Sequence, residues 1–370
     1  MTVWASVRPT ATKAARVKAT TTSASVLFVP KTVSVTFSGF LLSYIRSNSI
    51  KKKINFLKAI AITAVTAFLL ASCSNGSTDV SDGPKPLTVS LGGGVNMTMN
   101  WINPGTFQMG DPTGGDMTWA QPQHSVTLTK GFYMGIYEVT QEQWTAVMTG
   151  SDNNAAPSYF TNDADPNEVQ LKRPVEQVTW FDAIEFCNLL SERAGLTKVY
   201  TINGETRDNG QITAATVTAD WSKSGFRLPT EAEWEYACRA GTSTQWSFGN
   251  TDANISNYAW WGYDTDSNEG ANANEKTHQV GKKTANPWGL YDMHGNVWEW
   301  CWDLYDDYDA TVASQTDPKE PLSPTGNYST VRVLRGGSWL DSAASSRSAY
   351  RDCRYPDFGS SIIGFRVVRP

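Results

Sequence analysis

At 370 residues the chain has room for one large domain or two ordinary ones. Ten of its 31 Lys and Arg residues fall in 1–72 and no acid precedes Asp79, so the rest of the chain carries 21 basic against 36 acidic residues, a net charge of −15. A body this acidic repels phosphate backbones, which argues against nucleic acid as a partner, and three histidines with no CxxC pair offer no zinc spacing.

Residues 1–50 hold six Lys or Arg and no acid, and read as an atypical leader or as translation upstream of the true start. Residues 51–72 have the form of a secretory signal. Lys51, Lys52 and Lys53 are basic, Ile54 to Leu70 is an apolar run interrupted by Lys58, and small residues precede Cys73. The run is too short and wrongly flanked for a spanning helix. Leu70-Ala-Ser-Cys73 resembles the bacterial lipobox, in which the cysteine is acylated and becomes the new N-terminus. That resemblance implies lipidation at Cys73 and a place in the cell envelope, at the outer membrane or cell surface, with the lipid anchor as the only membrane contact. A plain signal peptide or a short anchor helix is the alternative. Residues 73–86, rich in Ser, Gly, Asp and Pro, read as a flexible tether.

From Leu87 to Pro370 there is no second linker and no internal repeat, so 87–370 is taken as one domain. Ser125 to Thr129 alternates as a strand does, Phe132 to Glu138 continues with strand-forming residues, and Lys130-Gly131 is placed as a turn between them. Thr140 three before Gln143 has the spacing of a capping box and opens a helix through Met148. A second helix is predicted from Trp180 to about Arg193, with Thr179 as cap, Ala183, Phe186 and Leu190 as its buried stripe, and Gly195 as terminator. A third follows Pro229-Thr230, with Glu233 completing a box and Gly241 past its end. Glu231 and Glu235, one turn apart, are read as a solvated face rather than an acid–base pair. Fourteen Trp follow Cys73 and are read as core. Cys187, Cys238, Cys301 and Cys353 are free to form disulfides outside the cytoplasm, in any of three pairings.

Seven segments stand out in order: Phe107-Gln-Met-Gly110, Gly135 to Trp144, Arg173 to Trp180, Phe226 to Cys238, Gly289 to Trp300, Leu334 to Trp339 and Ile363 to Arg366. The series resembles the formylglycine-generating enzyme (sulfatase-modifying factor) family over essentially all of 87–370. The resemblance implies an α+β, C-type-lectin-like fold with little regular secondary structure, held by calcium and sometimes by disulfides. One calcium would sit at Asp292, Gly295, Val297 and Glu299, where two carboxylates and turn carbonyls gather oxygens for a hard cation. A second would use Asn254 and the Ile255 carbonyl, its remaining ligands aligning poorly with Asp264 to Asn274.

The resemblance also marks what is missing. The family binds copper(I) through two cysteines, at the third and eighth positions after the Ser of Gly-Gly-Ser. Those positions here are Asp341 and Ser346, which cannot replace a dithiolate. No copper and no formylglycine-generating activity are therefore expected. The family's disulfide partner for Cys238 falls at Ser348.

Leu340 to Ile363 is rich in hydroxyls, lacks a helix or strand period, and reads as surface. It contains no Lys, Glu, Gln, Met or Trp, and no codon ending in C or T encodes any of these five. The window resembles the variable segment of proteins diversified by retroelements, in which adenines of AAC or AAT codons are randomised. On that resemblance Leu340, Asp341, Ser342, Ser345, Ser346, Asp352, Cys353, Tyr355, Asp357, Phe358, Ser360, Ser361 and Ile363 would be varied and, with Trp339, form a binding face. The expected function is non-catalytic binding of a protein or glycan at the cell surface. The rival is an enzyme of the same family using a site of another kind.

Overall fold

The computed structural model describes residues 84–111, 113, 117–262, 272–319 and 330–370, so the leader, the signal segment, Cys73 and most of the tether lie outside the described residues. In chain order the elements are β1 (Leu87–Gly92), β2 (Val95–Ile102), β3 (Gly105–Met109), β4 (His124–Leu128), β5 (Phe132–Gly135), α1 (Gln141–Met148), α2 (Trp180–Arg193), β6 (Tyr200–Asp208), β7 (Gln211–Ala219), α3 (Glu231–Arg239), β8 (Trp298–Leu304), β9 (Ser314–Thr316), β10 (Arg332–Arg335), β11 (Arg351–Arg354), β12 (Ile363–Gly364) and β13 (Val368–Arg369). Among the described residues no helix is long and apolar enough to cross a membrane.

The strands form two four-stranded sheets, in the orders β1-β2-β5-β13 and β11-β10-β8-β12, a three-stranded sheet β3-β4-β9, and the hairpin β6-β7. Each helix begins on a reciprocal capping box: Thr140 with Gln143, Thr179 with Asp182, and Thr230 with Glu233. These bonds satisfy orphan N–H groups at the helix starts, which is why the three helices are readable from sequence. Two large apolar clusters make most of the core. The larger packs α1 and α2 against β1, β2, β8 and the segment Ile363 to Val367, with Trp144, Trp180 and Trp300 fully buried. The other gathers α3, β4, β5 and β10 around Trp234.

The Lys130-Gly131 step bends the chain between β4 and β5, which lie in different sheets: β4 lies between β3 and β9, and β5 between β2 and β13. A Cβ at Gly131 would stand 2.3 Å from the Trp101 ring, so the chain passes tightly over the end of β2 as it changes sheets. Glu231 and Glu235 do not form a solvated face. Every residue of α3 is buried. Glu231 holds Arg351 through both carboxylate oxygens, at 2.5 and 2.8 Å. Glu235 accepts from Gly110 N at 2.9 Å, Arg239 Nε at 2.8 Å and Arg335. The helix is enclosed on all sides, and arginines of β10 and β11 supply the charge that makes two interior carboxylates tolerable.

Candidate functional site

The C-terminal window divides into scaffold and face. Trp339 is buried, its ring edge-on to Phe160 at 5.3 Å and its Nε1 donating to Ser361 O at 2.9 Å. Ile363 is fully buried in β12, parallel to β8 opposite Trp298. Ser346 is buried at the end of a 3₁₀ turn, where its hydroxyl donates to Ala343 O and accepts from Trp246 Nε1. The segment is thus not all surface, and it contains a strand: β11 pairs with β10 and puts Cys353 opposite Val333. Asp352 accepts from Arg354 at 2.7 Å. Ser342, which caps the 3₁₀ turn, is half-buried, as are Ser345, Ser360 and Ser361. Leu340, Tyr355 and Phe358 stand out, at 48%, 59% and 44% exposure, and Asp357 is exposed beside them in sequence. The bond from Phe358 N to Tyr355 O closes the turn that displays these last three side chains.

The two positions that the family pattern assigns to copper thiolates are tied into the fold. Asp341 accepts from Trp298 Nε1 at 2.8 Å and from Ser338 Oγ, and burial pushes its carboxyl above the usual range. The Ser346 carbonyl accepts from His294 Nδ1 at 2.7 Å. The four cysteines of the described residues are free thiols. Burial raises each, Cys238 to about 12 and Cys353 to about 11, which opposes the thiolate form that a nucleophile or soft-metal ligand needs.

A buried acidic cluster lies beneath the Gly295-Asn296 turn. Asp292 takes Gly281 N on Oδ2, while its buried Oδ1 has no hydrogen-bond partner. Glu138 accepts from Val297 N and Asn296 Nδ2. Glu299 is gripped by Arg366 at 2.6 Å through both oxygens and also takes Trp234 Nε1. Burial, reinforced by mutual repulsion, pushes Glu138 well up and Asp292 up to about 6. Gly295 must be glycine, because its φ is +96° and a Cβ would meet Trp260 O at 2.2 Å. Asp292 Oδ1 is thus the one oxygen of these three carboxylates without a hydrogen-bond partner, while both oxygens of Glu138 and of Glu299 are occupied. At the other expected position Asn254 is exposed, and the Ile255 carbonyl already accepts two backbone N–H groups. Most of the segment expected to complete that site lies outside the described residues.

The sulfatase-modifying factor enzyme 1-like domain matches residues 94–370. This chain belongs to that family. Chaperone protein LppX of Paenibacillus barcinonensis is 34% identical over 323 residues, 83% of this chain and 96% of its own length. Formylglycine-generating enzyme of Mus musculus is 28% identical, over 78% of this chain and 77% of that one. Among solved structures, Treponema denticola variable protein 1 matches with a TM-score of 0.66 and 38% identity, over 78% of this chain and 100% of that one. PvdO from Pseudomonas aeruginosa matches with a TM-score of 0.56 and 24% identity, a likeness of fold alone. The α+β, C-type-lectin-like fold of the formylglycine-generating type is therefore the fold of this sulfatase-modifying factor domain.

Sequence reasoning missed three parts of this family member. Glu138 lies inside a recognised motif but has no metal spacing, since its partners Asn296 and Val297 are 158 and 159 residues away. Of the arginines of the α3 network, Arg335 stands beside Gly336-Gly337, while Arg239 and Arg351 carry no local signal. The third part is a cluster of Asp165, Glu168 and His278.

Proposed function

We propose that this domain is a non-catalytic ligand-binding module, anchored to the cell envelope through a lipid on Cys73, whose C-terminal face is varied by a retroelement. The observation that carries the reading is the placement of exposed apolar side chains. Among the described residues six large hydrophobics are exposed, and three of them, Leu340, Tyr355 and Phe358, fall within the 24-residue window. Exposed aromatic and aliphatic residues interspersed with Asp and Ser make an adaptable paratope, in which the rings supply contact area at low entropic cost. The 38% identity to a variable protein, across that protein's whole length, supports the same reading. The ligand is a protein or a glycan. Calcium at Asp292, Gly295, Val297 and Glu299 would hold the scaffold, with Asn254 and Ile255 as part of a weaker second site.

The rival reading is a thiol-oxidising enzyme. Against it stand the carboxylate and hydroxyl at Asp341 and Ser346 and the four suppressed thiols. The test is incubation of the purified chain with copper(I) and a cysteine-containing sulfatase peptide. The expected result is no stoichiometric copper(I) uptake and no aldehyde product by mass spectrometry; formylglycine formation overturns the binding reading. Elemental analysis should find calcium in the same protein, and an equally stable calcium-free chain removes that part.

A further inference from the structure

Asp165, Glu168 and His278 meet where the 161–172 loop crosses the segment 272–282. A ligand atom from each lies within 4.8 Å of the other two. Glu168 Oε1 is 2.9 Å and Asp165 Oδ2 is 3.6 Å from His278 Nδ1. The outward atoms of all three are already held. Asp165 Oδ1 takes Lys276 Nζ at 2.6 Å, Glu168 Oε2 takes Gln279 N at 3.2 Å, and His278 Nε2 bonds the Ala273 carbonyl at 2.9 Å.

That last bond decides what can sit between the others. A carbonyl only accepts, so Nε2 carries a proton, and a neutral ring then points the Nδ1 lone pair at a carboxylate oxygen that also only accepts. Two lone pairs at 2.9 Å need a positive centre between them, either a second ring proton or a metal ion. The ring is fully buried and stacked on Trp260, with centroids 3.7 Å apart at 13°, so it is held in this orientation.

We propose that Asp165, Glu168 and His278 form a site for one divalent cation of the zinc class, with its fourth position open to water or a ligand atom. One imidazole nitrogen and two carboxylate oxygens suit a borderline cation. The separations of 2.9 and 3.6 Å bracket the edge of about 3.3 Å expected for a tetrahedron of ligands about 2.0–2.1 Å from zinc. A ring N–H given to a backbone carbonyl, and carboxylates tethered by their other oxygens, is the outer arrangement that orients metal ligands. Asp165 is partly exposed, at 39% of its side chain, and leaves an entry path. The ion would fasten the 161–172 loop beneath Phe160 and Trp339, which pack with Ala273 at the base of the proposed face. The site stands on its own geometry, whatever the face binds.

The test is a zinc titration of the full chain by calorimetry with calcium in excess, followed by cobalt(II) substitution read by its visible ligand-field bands. One zinc per chain is expected, with tetrahedral cobalt bands. His278→Ala and the partly exposed Asp165→Asn should each weaken binding by at least about tenfold, while Glu192→Ala, an exposed change on α2, leaves it unaltered. Asp165→Asn keeps the test valid should the buried histidine variant fail to fold. Absence of stoichiometric binding, or wild-type affinity in Asp165→Asn, overturns the proposal and leaves a doubly protonated His278 as the centre of the cluster.

Discussion

Removing the Glu235 carboxylate should destabilise the domain and loosen the strands that carry the C-terminal face. Glu235 is fully buried and takes Gly110 N, Arg239 and Arg335; burial alone would raise its carboxyl, and the two guanidiniums bring it below its ordinary value. In Glu235→Ala those guanidiniums, 2% and 0% exposed, lose their shared anion. Removing one partner from a buried pair costs about 3–5 kcal/mol. Arg335 keeps Glu231 at 3.3 Å, which favours the lower end, about 3 kcal/mol. At about 2–4 °C per kcal/mol for domains of roughly this size, the melting temperature should fall by about 6–12 °C. Guanidinium titration should show a lower midpoint at unchanged slope. Glu192→Ala, on the exposed face of α2, should move stability by no more than about 0.5 kcal/mol. Because Arg335 also donates to Tyr350 O, backbone amides of 350–353 should exchange faster with solvent in the Glu235 variant. A loss within about 0.5 kcal/mol of wild type would refute the reasoning, since it would mean that the carboxylate is solvated.

Ser348→Cys should restore the family's bridge, because Ser348 Oγ already lies 3.6 Å from Cys238 Sγ. The oxidised variant should lose two thiols in a titration and gain about 2–4 kcal/mol, and persistence of both thiols contradicts the geometry. Burial pushes Glu176 up to about 7, so between about pH 4.5 and 7 the folded state keeps a proton that the unfolded chain has released. Stability from this group is present below that window and is lost as pH rises through it, by roughly 3 kcal/mol, and Glu176→Gln should flatten the slope; identical slopes in both proteins dismiss the assignment. Tyr355→Ala and Phe358→Ala should each change stability by no more than about 0.5 kcal/mol, whereas Ile363→Ala should cost about 2–5 kcal/mol. A large loss at Tyr355 would make it packing, not display.

The helices were legible because each announces itself locally, with Thr at the cap and Gln, Asp or Glu three residues on. The fold was legible because seven motifs keep their order. The charge network of α3 was not, since Glu231 and Arg351 are 120 residues apart and a glutamate at helical spacing looks the same whether it meets water or an arginine. The window was legible only in part. A hydroxyl-rich stretch reads as surface, yet Ser346 is small enough to sit inside and bind Trp246, and Ile363 belongs to a two-residue strand too short to show a period. His278 and Glu168, 110 residues apart, escaped for the same reason as the network.

The central claim, a binding face varied on a constant scaffold, is tested most directly at the gene. The coding stretch for Leu340–Ile363 should have a near-copy close by, beside a reverse transcriptase, and sequencing across a population should show differences only where the copy carries AAC or AAT. Exposed positions such as Leu340, Tyr355, Asp357 and Phe358 should vary, while Gly336-Gly337-Ser338-Trp339 and Gly364-Phe365-Arg366 stay fixed. A locus without that copy, or with substitutions spread evenly through the domain, contradicts the account.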